Sequence, residues 1–231
     1  MASDNNSKQA NGARSYYDLL ASKYDDATKE YKWIAPETVN NLLLPHVKPG
    51  NRVLDVGIGT AQSTEAFLKA GCKVCGVDIS SKMLDKAREK YPCLELYQGN
   101  IEDGVPFLSS RSFDIVLGVG VLEFVTNMEK VIGILSQLTK SEGLICFTFE
   151  EFIAKHEVQG MKASVTAKGV LDNVPEINSF MTVRYESKEV ESMIQNAGLS
   201  LVEHQHFVAY EKSKERIPIS YTVVLARNKK G

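Results

Sequence analysis

The stretch VLDVGIG at residues 53–59 constrains what this chain can fold into more than any other. Apolar, mostly β-branched residues run up to an acid and then meet two glycines one residue apart. The polar segment TAQSTEAFLKAG follows, with helical spacing and Gly71 at its end. An apolar strand delivered into a glycine turn and then a helix opens a β-α-β unit. The alternation continues with KVCGVDIS as a strand, then KMLDKAREKY as a helix capped by Ser80 or Ser81, with Met83, Leu84, Ala87 and Tyr91 on one face. LELYQGNI, FDIVLGVGVL and GLICFTFE read as further strands, with the helix NMEKVIGILSQLTK between the last two. SKEVESMIQNAG is a helix bounded by Ser187 and Gly198, and only a charged turn separates LSLVEHQHFVAY from IPISYTVVLARNK, so these two form a hairpin. The expected fold is α/β: a doubly wound, mostly parallel seven-stranded sheet with helices on both faces and a C-terminal antiparallel hairpin.

Two segments lie outside this alternation. YYDLLASKYDDATKEYKW places Tyr17, Leu20, Tyr24 and Ala27 at helical spacing, and PETVNNLLLPHV starts a second helix on a proline. Residues 1–15 are polar and small, so a flexible tail is expected there, with order beginning near Tyr16. Residues 152–183 are too long for an ordinary connection and carry Phe152, Met161, Phe180 and Met181, which suits an apolar lid over a small molecule. The expectation is one domain over residues 16–231 with a lid-like insertion at 152–183. A net charge of −2 with scattered Lys and Arg offers no field to gather nucleic acid or an anionic membrane. No apolar run is long enough to cross a bilayer and no signal core is present, so a soluble, cytoplasmic protein is expected. Cys72 and Cys75 form one C-x-x-C at a strand entry, without the second pair that a zinc site requires, and read as buried hydrophobes; no metal is expected.

In an open parallel sheet, ligands bind beyond the carboxyl ends of the strands where strand order reverses. Gly57 and Gly59 end the first strand, and Asp78 ends the second about twenty residues on, where a ribose-binding acid belongs. A dinucleotide loop needs a third glycine, but Gln62 stands there; a mononucleotide P-loop needs a lysine that the loop lacks. Asp55, two residues before the first glycine, would repel a pyrophosphate and suits a ligand with positive charge. A nucleoside with a cationic tail and no phosphate fits these residues: S-adenosylmethionine.

The chain resembles the class I S-adenosylmethionine-dependent methyltransferases, in particular the broad small-molecule group. YYDLLASKYDD matches the opening helix, VLDVGIGTA the glycine motif, GVDIS the acidic strand end, GNIED the adenine loop and FDIVLGVGVLEFV the fourth strand. RYESKEVESMIQNAGL matches the penultimate helix. The resemblance covers residues 16–150 well and the last third more loosely. It implies a Rossmann-like methyltransferase fold, with S-adenosyl-L-homocysteine as product. It also implies that Gly57 and Gly59 let the backbone approach the methionine moiety above Asp55. Asp78 would accept from the ribose hydroxyls, and Ile79 would pack on the adenine. Asn100 stands where relatives often carry Asp, and Ile101 would offer its N–H to the ring. Gly118 and Val119 would contact the methionine part, and Tyr17 and Tyr24 would close over the cofactor, where a ring face attracts a sulfonium.

Methyl transfer from a sulfonium needs alignment and dry surroundings more than it needs a base. Glu123, just after the fourth strand, is the best-placed base candidate; His156, which begins the insertion, is a second, and Glu150 and Glu151 end the fifth strand. His204 and His206 read as a polar strand edge. GVGVLE replaces the Asn-Pro-Pro-Tyr type motif of amino-methylating nucleic-acid enzymes, and no basic stripe is present, so nucleic acid is a poor partner. The expected function is methyl transfer to O, N or C of a small-molecule acceptor. A protein or peptide methyltransferase, a nicotinamide-dependent oxidoreductase and a non-catalytic cofactor-binding partner subunit are the alternatives. The sequence leaves oligomeric state open.

Overall fold

Short runs of β-branched and aromatic residues build the sheet, which a computed structural model describes within residues 2–108, 112–165, 180–212 and 215–229. The parallel strands are β1 (Arg52–Val56), β2 (Lys73–Asp78), β3 (Glu95–Gln98), β4 (Phe113–Gly118) and β5 (Thr139–Glu150). Two short strands of the insertion, β6 (Ala163–Val165) and β7 (Met181–Val183), pair with each other. β8 (Leu199–Lys212) and β9 (Ile217–Asn228) form the antiparallel hairpin, with β9 against β5. The order β3-β2-β1-β4-β5-β9-β8 is the expected doubly wound seven-stranded sheet, and it reverses between β1 and β4.

The helices are α1 (Ala2–Leu20), α2 (Tyr24–Glu30), α3 (Ala35–Leu43), α4 (Thr64–Lys69), α5 (Ser81–Lys90), α6 (Met128–Leu138) and α7 (Ser187–Asn196). Alternation along the strands sends successive side chains to opposite faces. Leu54, Val116 and Phe147 therefore pack with Val131, Ile132 and Leu135 of α6 and Val190 and Ile194 of α7. Val53, Ile115, Leu117 and Cys146 pack on the other face with Val39 and Leu43 of α3, Phe67 of α4 and Leu84 and Ala87 of α5. Cys72 and Cys75 fall in opposite cores as free thiols. Among the described residues no helix is long and apolar enough to cross a membrane.

The N-terminus differs from the tail expected of it. Residues 2–20 form one helix, anchored by bonds that the sequence alone does not display. Gln9 is buried; its Nε2 donates to the carbonyls of Phe124 (2.8 Å) and Met181 (2.7 Å), and its Oε1 accepts from Met181 N (2.8 Å). Asp18 accepts from Ser80 Oγ (2.6 Å) and Lys82 N (3.3 Å), at the start of α5. An isolated polar helix is marginal in water, so these tertiary bonds hold α1.

Within the insertion, residues 166–179 lie outside the described set. Its described ends are fixed. Arg184, past β7, donates from Nε to Glu150 Oε1 at the end of β5 (2.6 Å), both side chains being 3% exposed. Its Nη1 also donates to Met161 O (3.2 Å) and Ser164 Oγ (2.8 Å). Removing one partner of a buried pair strands the other charge. Arg184→Met is expected to lower stability by roughly 3–5 kcal/mol in denaturant unfolding, and Glu150→Gln in the same chain to recover much of that loss.

Candidate functional site

The site begins where β1 gives out. Gly57 has φ +69°, and a Cβ there would lie 2.6 Å from Val121 Cγ2, so only glycine lets the loop after β1 run against the loop after β4. Gly59 needs glycine for conformation alone (φ +53°), since a Cβ there meets nothing closer than Gly57 O at 3.9 Å. Gly57 N and Ile58 N donate to Val77 O at 2.7 and 3.1 Å, binding the turn to β2. Asp78 completes the joint: its Oδ2 accepts from Gly59 N and its Oδ1 from Ser80 N, both at 2.8 Å. Burial pushes the Asp78 carboxyl up to about 6, against the pull of these backbone donors.

These loops floor an open cavity beyond the strand ends. Tyr17, Tyr24, Gly57, Gly59, Asp78, Ile79, Asn100, Ile101 and Val119 all line it. Asp55 and Gly118 do not. Asp55 lies under the floor, 1% exposed, with Oδ2 accepting from Ser63 Oγ (3.1 Å) and Thr64 Oγ1 (3.3 Å). It ties β1 to the start of α4 rather than lining the cavity, and burial raises its carboxyl to about 7 despite those two donors. At Gly118 an added Cβ would meet Leu122 and Val121 side chains at 3.1 and 3.2 Å, so it faces the core. Asn100 uses its Oδ1 to cap the turn at Ile101–Asp103, accepting from Glu102 N at 3.1 Å.

Other lining residues were not expected from the sequence: Ala10 and Ala13 of α1, Met83, Glu102, Gly120 and Phe124. Ala10 and Ala13 continue the three- and four-residue spacing of Tyr17 and Tyr24 backwards, a signal hidden by the polar residues between them. Tyr17, Phe124 and Phe180 meet as a ring cluster, with centroids 5.4 to 6.4 Å apart. Gln62, in the place of a third glycine, donates from Nε2 to Asp25 Oδ1 (2.9 Å) and Thr28 Oγ1 (2.7 Å) of α2. Asp25 also accepts from Thr60 Oγ1 (2.6 Å) and pairs with Lys90.

The base candidates separate clearly. Glu123, in the turn Leu122–Phe124 after β4, is 1% exposed and sits behind the cavity wall at Gly120. Its Oε1 accepts from Tyr221 OH at 2.7 Å, and burial raises its carboxyl to about 8. His156 lies in the insertion's first turn with both ring nitrogens engaged. Nδ1 accepts from Val158 N and Gln159 N at 3.1 Å, and Nε2 donates to Pro218 O at 3.0 Å. Glu150 is held by Arg184, and Glu151 by His206 and Thr222. His204, on the outer strand β8, reaches Glu191 of α7.

A glycine turn and a buried acid at adjacent strand ends, at the reversal point of a seven-stranded sheet, are arranged as in the Rossmann-like fold of class I S-adenosylmethionine-dependent methyltransferases. Residues 54–147 match the family model described as a methyltransferase domain, and the chain carries that domain. A ubiquinone biosynthesis O-methyltransferase of Azoarcus sp. is 27% identical over 79% of this chain and 80% of its own length. An uncharacterized methyltransferase of Anoxybacillus flavithermus is 33% identical over 59% of this chain, and the match spans only 63% of that protein. Among solved structures, the 1,6-didemethyltoxoflavin-N1-methyltransferase of Burkholderia thailandensis, with bound 1,6-didemethyltoxoflavin and S-adenosylhomocysteine, superposes with a TM-score of 0.67. It is 17% identical, over 95% of this chain and 88% of that one.

Asp55, Asp78 and Glu123 each hold their proton more tightly folded than unfolded, because burial raises all three. Between about pH 4 and 8 the folded state therefore carries more protons, and stability falls as pH rises. The ligand-free protein's urea midpoint is expected to drop across that window, and Asp55→Asn to flatten the drop.

Proposed function

We propose that the chain transfers the sulfonium methyl group of S-adenosylmethionine to O, N or C of a small-molecule acceptor by in-line displacement. The observation that carries this reading is the joint at Asp78. A buried carboxylate holds the glycine loop by Gly59 N and keeps one edge on the cavity, as a pair of ribose hydroxyls requires. In this reading Ile79 packs on the adenine, Asn100 and Ile101 meet its edge, and Gly57, Gly59 and Val119 follow the methionine chain. Tyr17 and Tyr24 cover the sulfonium. Asp55 and Gly118 act from beneath, by holding the loops that do the binding. Catalysis then comes from alignment at roughly 3–3.5 Å between nucleophile and methyl carbon and from exclusion of water under α1 and α2.

The named relatives support a small acceptor: a quinone-pathway O-methyltransferase and an N1-methyltransferase of a small heterocycle. We read the chain as a single domain with a lid-like insertion, working in the cytoplasm on a small molecule rather than on nucleic acid or a membrane. Where the acceptor is protic, Glu123 is our candidate to take the proton. His156 has no ring nitrogen left for that task.

Calorimetric titration with S-adenosylmethionine, S-adenosylhomocysteine and NAD tests the reading. Both sulfur nucleosides are expected to bind and NAD not to. Asp78→Ala is expected to weaken both by about a hundredfold, since a charge-assisted pair and the Gly59 anchor go together. A circular dichroism spectrum like the parent's would localise that loss to the site. Unchanged affinity in this variant would overturn the ribose assignment.

A further inference from the structure

Glu123 is the buried group beside the cavity whose chemistry the ribose, adenine and methionine contacts leave unused. Its Oε2 is buried and has no hydrogen-bond partner among the described residues, while Oε1 holds Tyr221 OH. Gly120 lines the cavity in front of it, and the Trp33 ring takes the space that a side chain at Gly120 would need. A Cβ there would lie 2.8 Å from the Trp33 ring and 3.8 Å from Glu123 Oε1. The cavity has a direction. Asp78, Ile79, Asn100 and Ile101 follow β2 and β3 on one side, and Gly57 and Gly120 follow β1 and β4 on the other. On the proposed reading a ligand with its ribose on Asp78 would direct its sulfur to the second side.

We propose that Glu123 is a charge-sensing group for the ligand's sulfur: its carboxyl loses its proton when a sulfonium occupies the cavity and keeps it when the neutral thioether does. The inference rests on the reading of the cavity as an S-adenosylmethionine site. The balance is simple. On binding, the carboxylic acid becomes a carboxylate beside the sulfonium and one proton goes to solvent. On methyl transfer the positive charge leaves sulfur, and the carboxylate takes a proton back. The same residue thus favours the methyl donor over the demethylated product as pH rises.

The surroundings fit. Burial raises the Glu123 carboxyl to about 8, which favours its protonated form near neutral pH. Tyr221 of β9 donates to it, Tyr17 of α1 and Tyr24 of α2 feel its charge across the cavity, and Tyr210 of β8 does so from behind. Glu150 of β5 disfavours its ionisation, and Arg184 favours it from within its own pair with Glu150. A positive charge on the cavity side therefore tips the group.

The test compares two ligands that differ only at sulfur. S-adenosylmethionine and S-adenosylhomocysteine share adenine, ribose, ammonium and carboxylate, so proton changes at Asp78 and Asp55 cancel in the difference. Titrating each at about pH 6.5, in buffers of different ionisation enthalpy, should release about one more proton with the sulfonium. Its affinity relative to the thioether should rise about tenfold per pH unit toward pH 8. Glu123→Gln should bind both nucleosides and abolish the difference. Tyr221→Phe should keep it and move it to higher pH, because the ionised carboxyl loses a donor. Equal proton counts for the two ligands in the parent protein, or a full difference in Glu123→Gln, would overturn the inference while leaving the cofactor reading intact. Failure of both nucleosides to bind would overturn the two together.

Discussion

Three carboxyl groups buried at strand ends, none ion-paired among the described residues, set the terms for this structure. Asp55, Asp78 and Glu123 lie where β1, β2 and β4 release the chain, each raised by burial toward or beyond neutrality. A protein that only had to fold would place apolar side chains there. Two of them are made tolerable by local donors. Ser63 and Thr64 serve Asp55, and the backbone of Gly59 and Ser80 serves Asp78. Those bonds also fix the glycine loop, so the compensation for buried charge and the shape of the cavity are one set of contacts. At Glu123 the side-chain donor is Tyr221 OH. Local rules broken in this way cluster at functional sites.

Most of the architecture is legible in the sequence because its determinants are local. Strand periodicity, the Gly57 and Gly59 pair and an acid at the second strand's end suffice for the sheet, its reversal point and most of the cavity lining. What escapes is set by distant partners. Nothing near Gln9 announces that its amide will bridge Phe124 and Met181, and without that bridge MASDNNSKQANGARS reads as a tail. His156 stands at a plausible place for a base, yet Pro218 and its own turn occupy the ring. Asp55 is legible as special but not in orientation. Period-two alternation over so short a strand fixes which face a side chain takes less firmly than the loop beyond it does.

Gln62 shows how a departure from a motif can be structural. A third glycine would let α4 pack closer; the glutamine instead extends across to Asp25 and Thr28. With Thr60 and Lys90 it fastens α2 beside the glycine loop. The residue that distinguishes this loop from a dinucleotide fingerprint is thus also the attachment of the cavity's cover. Comparing motifs alone would count it as a loss.

The position of Gln9 has a consequence for how the chain is made. Its side chain bonds Met181, 172 residues further along. A ribosome delivers the roof of the cavity well before the strand that holds it. Until β7 is made the Gln9 side chain has only the turn at Phe124 to bond, while the strands from β1 to β5 can already pair beneath it. The helix therefore reaches its final contacts only after β7 has been made, and the nascent protein cannot enclose a ligand under it before then.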